Sequence, residues 1–197
     1  MRVFTMLHTM RLLGVVILAA ACGPTQQAEV TPGTPAGDAQ AYVAADADFM
    51  RDMIGHHAQA IEMASLVADR SDSETMGLLA RRIDESQVFE IGLMHRWLNA
   101  RGLDSATSRG MAGMAGMAGM ATPEQMAELA DSEDTAFDRL FLELMIRHHD
   151  GALTMLDALA SAEGGGQELE VFQLISHIDA DQRAEIARMQ RMLNALQ

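Results

Sequence analysis

The chain has 197 residues, enough for one domain of ordinary size, and its 14 basic residues are all arginine against 28 acids, a net charge of −14. That balance excludes a nucleic-acid binder, whose affinity rests mainly on basic contacts to phosphate, and it favours cations near the surface. With 17 methionines and only 4% aromatic residues, the core has to be built from Met and Leu, which points to an all-α fold.

The N-terminus reads as a targeting segment. Arg2 and Arg11 accompany the apolar run Leu12–Ala21, ten residues long. A membrane-spanning helix needs roughly 20 apolar residues, so the run fits a secretory signal instead. Small residues lead into Cys22, the lone cysteine. Residues 1–22 resemble a bacterial lipoprotein signal in which Cys22 is lipidated and becomes the mature N-terminus. Ala19 stands where such signals usually carry Leu, and an ordinary signal cut after Ala-x-Ala is the alternative. Loss of residues 1–22 removes Arg2, Arg11 and no acid, which takes the charge from −14 to −16. Residues 23–45 carry Pro24, Pro32, Pro35, Gly33 and Gly37 with hardly a large apolar side chain, and are expected to be a disordered tether.

Four long helices in two hairpins are expected over residues 46–197. The first, about 46–69, gathers Met50, Met53, Ile54, His57, Ile61 and Ala64 on one face. Ser71 with Glu74 has the form of a capping box for the second, to about Ala100, whose inner face carries Met76, Leu79, Ile83, Gln87, Glu90, Met94 and Trp97. The first hairpin spans 46–101 and the second 134–197, joined by a Met-rich connection over 102–133. Within that connection Thr122 caps a short helix that starts at Pro123. The third helix, about 135–162, turns Leu142, Met145, Ile146, His149, Leu153 and Leu156 inward, and Gly164-Gly165-Gly166 ends it. The fourth turns Leu174, Ile178, Gln182, Glu185, Met189 and Met192 inward. Short loops inside each hairpin imply antiparallel neighbours.

The two hairpins repeat each other. Phe49-Met50-Arg51-Asp52-Met53-Ile54-Gly55-His56-His57 returns 92 positions on as Phe141-Leu142-Glu143-Leu144-Met145-Ile146-Arg147-His148-His149, and Met63 returns as Met155. Gln87-Val88-Phe89-Glu90-Ile91-Gly92-Leu93-Met94 returns 95 positions on as Gln182-Arg183-Ala184-Glu185-Ile186-Ala187-Arg188-Met189. Duplication of His, Met, Glu and Gln along with the apolar residues duplicates a polar site or a polar core network.

These paired His-His runs and the Gln-x-x-Glu-Ile-x-x-Met block resemble the exported bacterial DUF305 family over about residues 46–196. The resemblance implies a ferritin-like antiparallel four-helix bundle. It also implies metal chemistry, because a periplasmic copper-binding protein is among the family's members.

The residues themselves suit copper. Thioethers prefer Cu(I), and imidazole accepts Cu(I), Cu(II), Zn or Ni. Met53 with His57, and Met145 with His149, are i,i+4 neighbours on one helix face. His56 and His148 point about 100° away from them, toward the flank of Met63 and Met155. Glu90 and Glu185, with Met94 and Met189 one turn on, sit on otherwise apolar faces and are expected to pair with His57 and His149 or to share a metal with them. The Gly-Met-Ala repeat offers Met111, Met114, Met117 and Met120 as exposed thioethers. Each Gly inside a helix costs about 1 kcal/mol relative to Ala, so this segment is expected to be a loop.

The sequence therefore reads as an exported, lipid-anchored copper-binding protein, Cu(I) favoured, for tolerance, storage or delivery, with a copper-handling protein as partner. It is not read as an enzyme, and it takes no nucleic acid. The alternative is a structural or partner-binding lipoprotein whose His/Glu core holds no metal. A di-iron redox enzyme fits less well, because Glu90 and Glu185 are followed three residues on by Leu93 and Arg188 rather than by His.

Overall fold

The computed structural model describes residues 42–106, 113 and 116–196. The signal segment, Cys22, nearly all of the tether, Met111 and Met114 lie outside the described residues. Among the described residues every regular element is helical: α1 (Ala44–Ser65), α2 (Val67–Arg70), α3 (Glu74–Ala100), α4 (Pro123–Asp131), α5 (Asp134–Ser161) and α6 (Leu169–Ala195).

Local chemistry sets the boundaries. The first helix stops at Ser65 rather than running on to Asp69, and α2 carries its last turn separately. The cap of α3 is Ser73, whose hydroxyl accepts from Met76 N at 3.4 Å, and not Ser71, whose hydroxyl accepts from Ser73 N at 3.2 Å. Two serines two residues apart compete for that role, and the second lies one residue before the helix, where the free N–H groups begin. Gly102, at φ 67, lets Leu103 N return to Leu98 O at 3.0 Å and closes α3. Thr122 and Gln125 form a reciprocal capping box at the start of α4, with Pro123 in the first turn.

The long helices α1, α3, α5 and α6 form a four-helix bundle. α1 packs on α3 and α5 on α6, while α1–α5 and α3–α6 contacts join the two hairpins. The apolar core falls into two clusters. One holds Met63, Leu79, Ile83, Phe137, Phe141, Leu142, Met145 and Met189. The other holds Phe49, Met50, Met53, Met94, Trp97, Leu98, Leu156, Leu174 and Ile178. On every long helix buried His, Gln or Glu side chains fall between them in sequence: His56 and His57 on α1, Gln87 and Glu90 on α3, His148 and His149 on α5, Gln182 and Glu185 on α6, whereas the buried Asp46, Asp52 and Asp138 lie outside this stretch. A single polar layer thus crosses the bundle at mid-height. The order of the clusters along α1 is reversed along α5, so the repeats meet head to tail at this layer.

The end of the Met-rich connection straps across α1 and α5. Gln59 mimics a peptide toward Ala121, accepting from its N–H at 2.7 Å and donating to its carbonyl at 3.0 Å. Gly151 has no side chain because a Cβ there would run into the backbone of Ala118 and Gly119. Gly119 in turn sits at φ 77, and a Cβ there would run into the Arg147 and Gly151 backbone. This close approach places the carbonyl of Ala118 beside the histidines of the layer.

Candidate metal centre

The polar layer is built from two like halves. His57 Nε2 lies 2.6 Å from Glu90 Oε2, and His149 Nε2 lies 2.7 Å from Glu185 Oε2. Both imidazoles are fully buried, and the pairs, expected because a carboxylate on an apolar face needs a partner, form between the two helices of each hairpin. His56 and His148 meet across the α1–α5 seam with ring centroids 3.9 Å apart and planes inclined by 37°. His56 Nε2 donates to Ala118 O at 3.0 Å, and His148 Nε2 donates to His56 O at 3.0 Å.

Burial sets the protonation. It lowers His56 and His57 from 6.5 to about 3, with the neighbouring imidazoles lowering them further, and holds His148 well below its ordinary value for the same reasons. His56, His57 and His148 are therefore neutral imidazoles at physiological pH. Burial also raises Glu90 to about 7, opposed by the nearby His177.

Neutral imidazole carries one proton, so fixing it at one nitrogen leaves a lone pair at the other. A carbonyl can only accept, which places the His56 and His148 protons on Nε2. Where Glu90 and Glu185 are carboxylates, which for Glu90 requires a pH above about 7, the same holds for His57 and His149. The Nδ1 atoms of His56, His57 and His149 are buried and have no hydrogen-bond partner. Buried polar atoms without partners are rare, and these three are unprotonated imidazole nitrogens, the form that ligates metals. Carboxylates and carbonyls that hold the far nitrogen of each ring are also the usual supports of metal-ligating histidines.

The thioethers divide between the two sides of this layer. Met53 and Met94 belong to one apolar cluster, with Met155 packed against it; Met145, Met189 and Met63 belong to the other. Met63 and Met155 thus lie on opposite sides of the layer, because the repeats run head to tail. Met117 and Met120 are half-buried in the strap rather than exposed as expected. The anchoring of residues 118–121 by His56 and Gln59 accounts for that difference. The four imidazoles are not among the groups of three His, Asp or Glu ligand atoms that converge within 4.8 Å.

One such group exists among the described residues, and sequence reasoning found only one of its members. Glu90, His177 and Asp181 bring ligand atoms within 4.8 Å of one another and can hold a metal ion. His177 Nε2 lies 3.8 Å from Glu90 Oε1 and 3.6 Å from Asp181 Oδ2. The available signal was the i,i+4 spacing of His177 and Asp181 on the turns preceding Glu185. It passed unused because neither residue has a His or Asp at the equivalent position of the other repeat.

Comparison with known proteins follows the same residues. The profile of the DUF305 family, a domain of unknown function, matches residues 46–193. The chain belongs to the DUF305 family. A crystal structure of a presumed secreted DUF305 protein from Streptomyces coelicolor is 32% identical, with a TM-score of 0.66 over 78% of this chain and 94% of that one. A crystal structure of a DUF305 fragment from Deinococcus radiodurans is also 32% identical, with a TM-score of 0.69 over 78% of this chain and 97% of that one. No functionally curated protein matches. Among the described residues no helix is long and apolar enough to cross a membrane.

Proposed function

We propose that this DUF305 protein is an exported copper-binding protein, and that the central layer takes Cu(I) through imidazole Nδ1 atoms completed by thioethers. The observation that carries the reading is the set of three buried, partnerless Nδ1 atoms on His56, His57 and His149. Methionines lie immediately to either side of the layer, Met53 and Met94 in one cluster and Met145 and Met189 in the other. The imidazoles do not converge as a trio, so the donors to each ion are mixed: a histidine from the layer and thioethers from one cluster. The internal repeat then supplies two such sets, one around His57 and one around His149. Mixed nitrogen and thioether ligation selects Cu(I) over Zn(II) or Mg(II). Storage, tolerance or delivery to a copper-handling partner are the roles such a protein serves.

Anaerobic titration with Cu(I) tests this. The mature protein is expected to bind Cu(I) tightly, and replacement of Met53 and Met145 by Leu is expected to weaken that binding while leaving the fold intact, since Leu conserves volume and apolarity. Replacing Met111, Met114, Met117 and Met120 by Leu is expected to lower the stoichiometry but spare the tightest sites. Absence of Cu(I) binding by the parent would leave the layer as a structural His/Glu network. Anchoring through a lipid on Cys22 belongs to the same proposal. A mature N-terminal mass without lipid, together with unchanged membrane fractionation of Cys22→Ser, would refute it.

A further inference from the structure

The two halves of the polar layer are alike in His57–Glu90 and His149–Glu185, but they differ in what faces the second oxygen of each carboxylate. The α3 and α6 repeats are offset by 95 positions, so His177 and Asp181 occupy the places of Arg82 and Ser86. Around Glu185, Arg82 Nε stands 3.9 Å from Oε1, and the Ser86 hydroxyl shares its proton between Ile83 O at 3.1 Å and that oxygen at 3.4 Å. The protein's own cation and a donor thus satisfy that carboxylate. Around Glu90 neither is present. Oε1 is buried and has no hydrogen-bond partner. What faces it instead is an imidazole and a second carboxylate, His177 and Asp181.

We propose that Glu90, His177 and Asp181 form a site for a divalent cation of the zinc class, which stands where the other half of the molecule places the guanidinium of Arg82. A buried carboxylate facing another carboxylate is costly without a positive charge, and a divalent ion balances the two. The geometry is near that required: two ligands 2.0–2.2 Å from a tetrahedral ion lie roughly 3.4 Å apart, against 3.8 and 3.6 Å here. The Phe89 ring, edge-on to the imidazole of His177 with centroids 6.0 Å apart, flanks the latter and limits its swing. The donors are one nitrogen and two oxygens, with no sulfur, so the site prefers Zn(II), Co(II) or Cu(II) to Cu(I). Three protein ligands leave a fourth position, which opens to solvent because His177 is 44% exposed. The same Glu90 holds His57 through its other oxygen, at 2.6 Å, so an ion at the outer site fixes Glu90 as a carboxylate and His57 with its proton on Nε2. The site itself stands independently of whether the layer takes copper.

Co(II) is the probe, as a coloured stand-in for Zn(II), titrated into the mature protein and competed with Zn(II). One Co(II) per chain is expected, displaced by Zn(II). His177→Ala and Asp181→Ala, both at solvent-facing positions, are expected to weaken it by roughly tenfold or more without altering the melting curve. His177→Arg, which installs the internal cation of the other half, is expected to abolish Co(II) binding in a folded protein. The proposal is overturned if the parent binds no Co(II), or if His177→Ala and Asp181→Ala keep the parent's affinity. Anaerobic Cu(I) uptake by the same variants reports on the central layer alone, and its failure would count against the copper reading and not against this site.

Discussion

Acidifying the metal-free protein from pH 6.5 to 4.5 is expected to remove about 2 kcal/mol or more of its stability, a substantial share of the roughly 5–15 kcal/mol that holds a domain together. His56 and His57 titrate at about 3 in the fold, against 6.5 in an unfolded chain, and His148 is displaced in the same direction. Between those values the unfolded chain binds protons that the fold refuses. The contribution of these histidines is thus complete above 6.5 and is lost as the pH falls. Glu90 works in the opposite sense. Raised to about 7 from 4.5, it holds a proton in the fold that the unfolded chain has released, so its contribution is complete below 4.5 and is lost as the pH rises toward 7. His56 and His57 against one carboxyl leave an excess of about one proton on the unfolded chain, and His148 adds to it in the same direction. Each is worth about 1.4 kcal/mol per pH unit, reduced near 6.5 where the unfolded imidazoles are only half protonated. Urea unfolding midpoints measured at pH 6.5, 5.5 and 4.5 check this. A flat profile would mean that the layer admits water and is not buried imidazole.

His57→Ala is expected to destabilise the metal-free fold by about 3 kcal/mol, and His149→Ala by roughly 1 kcal/mol less. Both remove a buried imidazole of the same size. The difference lies in what remains to the orphaned carboxylate. Glu185 keeps Ser86 at 3.4 Å and Arg82 at 3.9 Å. Glu90 keeps only His177, at 3.8 Å. For a domain of this size, 3 kcal/mol corresponds to a drop of roughly 6–12 °C in melting temperature. Equal losses in the two variants would show that Arg82 and Ser86 do not support Glu185.

The elements were legible because each long helix writes its buried face at a period near 3.6, and because Gly102, Thr122 and Pro123 mark helix ends, whereas the choice between Ser71 and Ser73 as the cap of α3 was not legible. The His57–Glu90 and His149–Glu185 pairs were legible for the same reason: a buried carboxylate needs a partner, and each hairpin offers one histidine at the matching height. Other features needed coordinates. That Met63 and Met155 lie on opposite sides of the layer follows from the head-to-tail meeting of the repeats, which periodicity within one helix does not encode. The stacking of His56 on His148 depends on the α1–α5 seam, and the burial of Met117 and Met120 on a strap that Gly119 and Gly151 permit. His177 and Asp181 carry no repeat signal, because this site lies where the two halves differ: Arg82 and Ser86 stand at the equivalent positions.

Nitrogen-15 NMR of the histidine side chains, recorded anaerobically before and after addition of Cu(I), tests the central claim most directly. It distinguishes a protonated ring nitrogen from a bare one and a bare one from a metal-bound one. Above pH 7, where Glu90 is ionised, the metal-free protein is predicted to show His57 and His149 with the proton on Nε2 and a bare Nδ1, and Cu(I) is predicted to move the Nδ1 signals of both. Protons found on Nδ1, or Nδ1 signals that stay in place when Cu(I) binds, would contradict it.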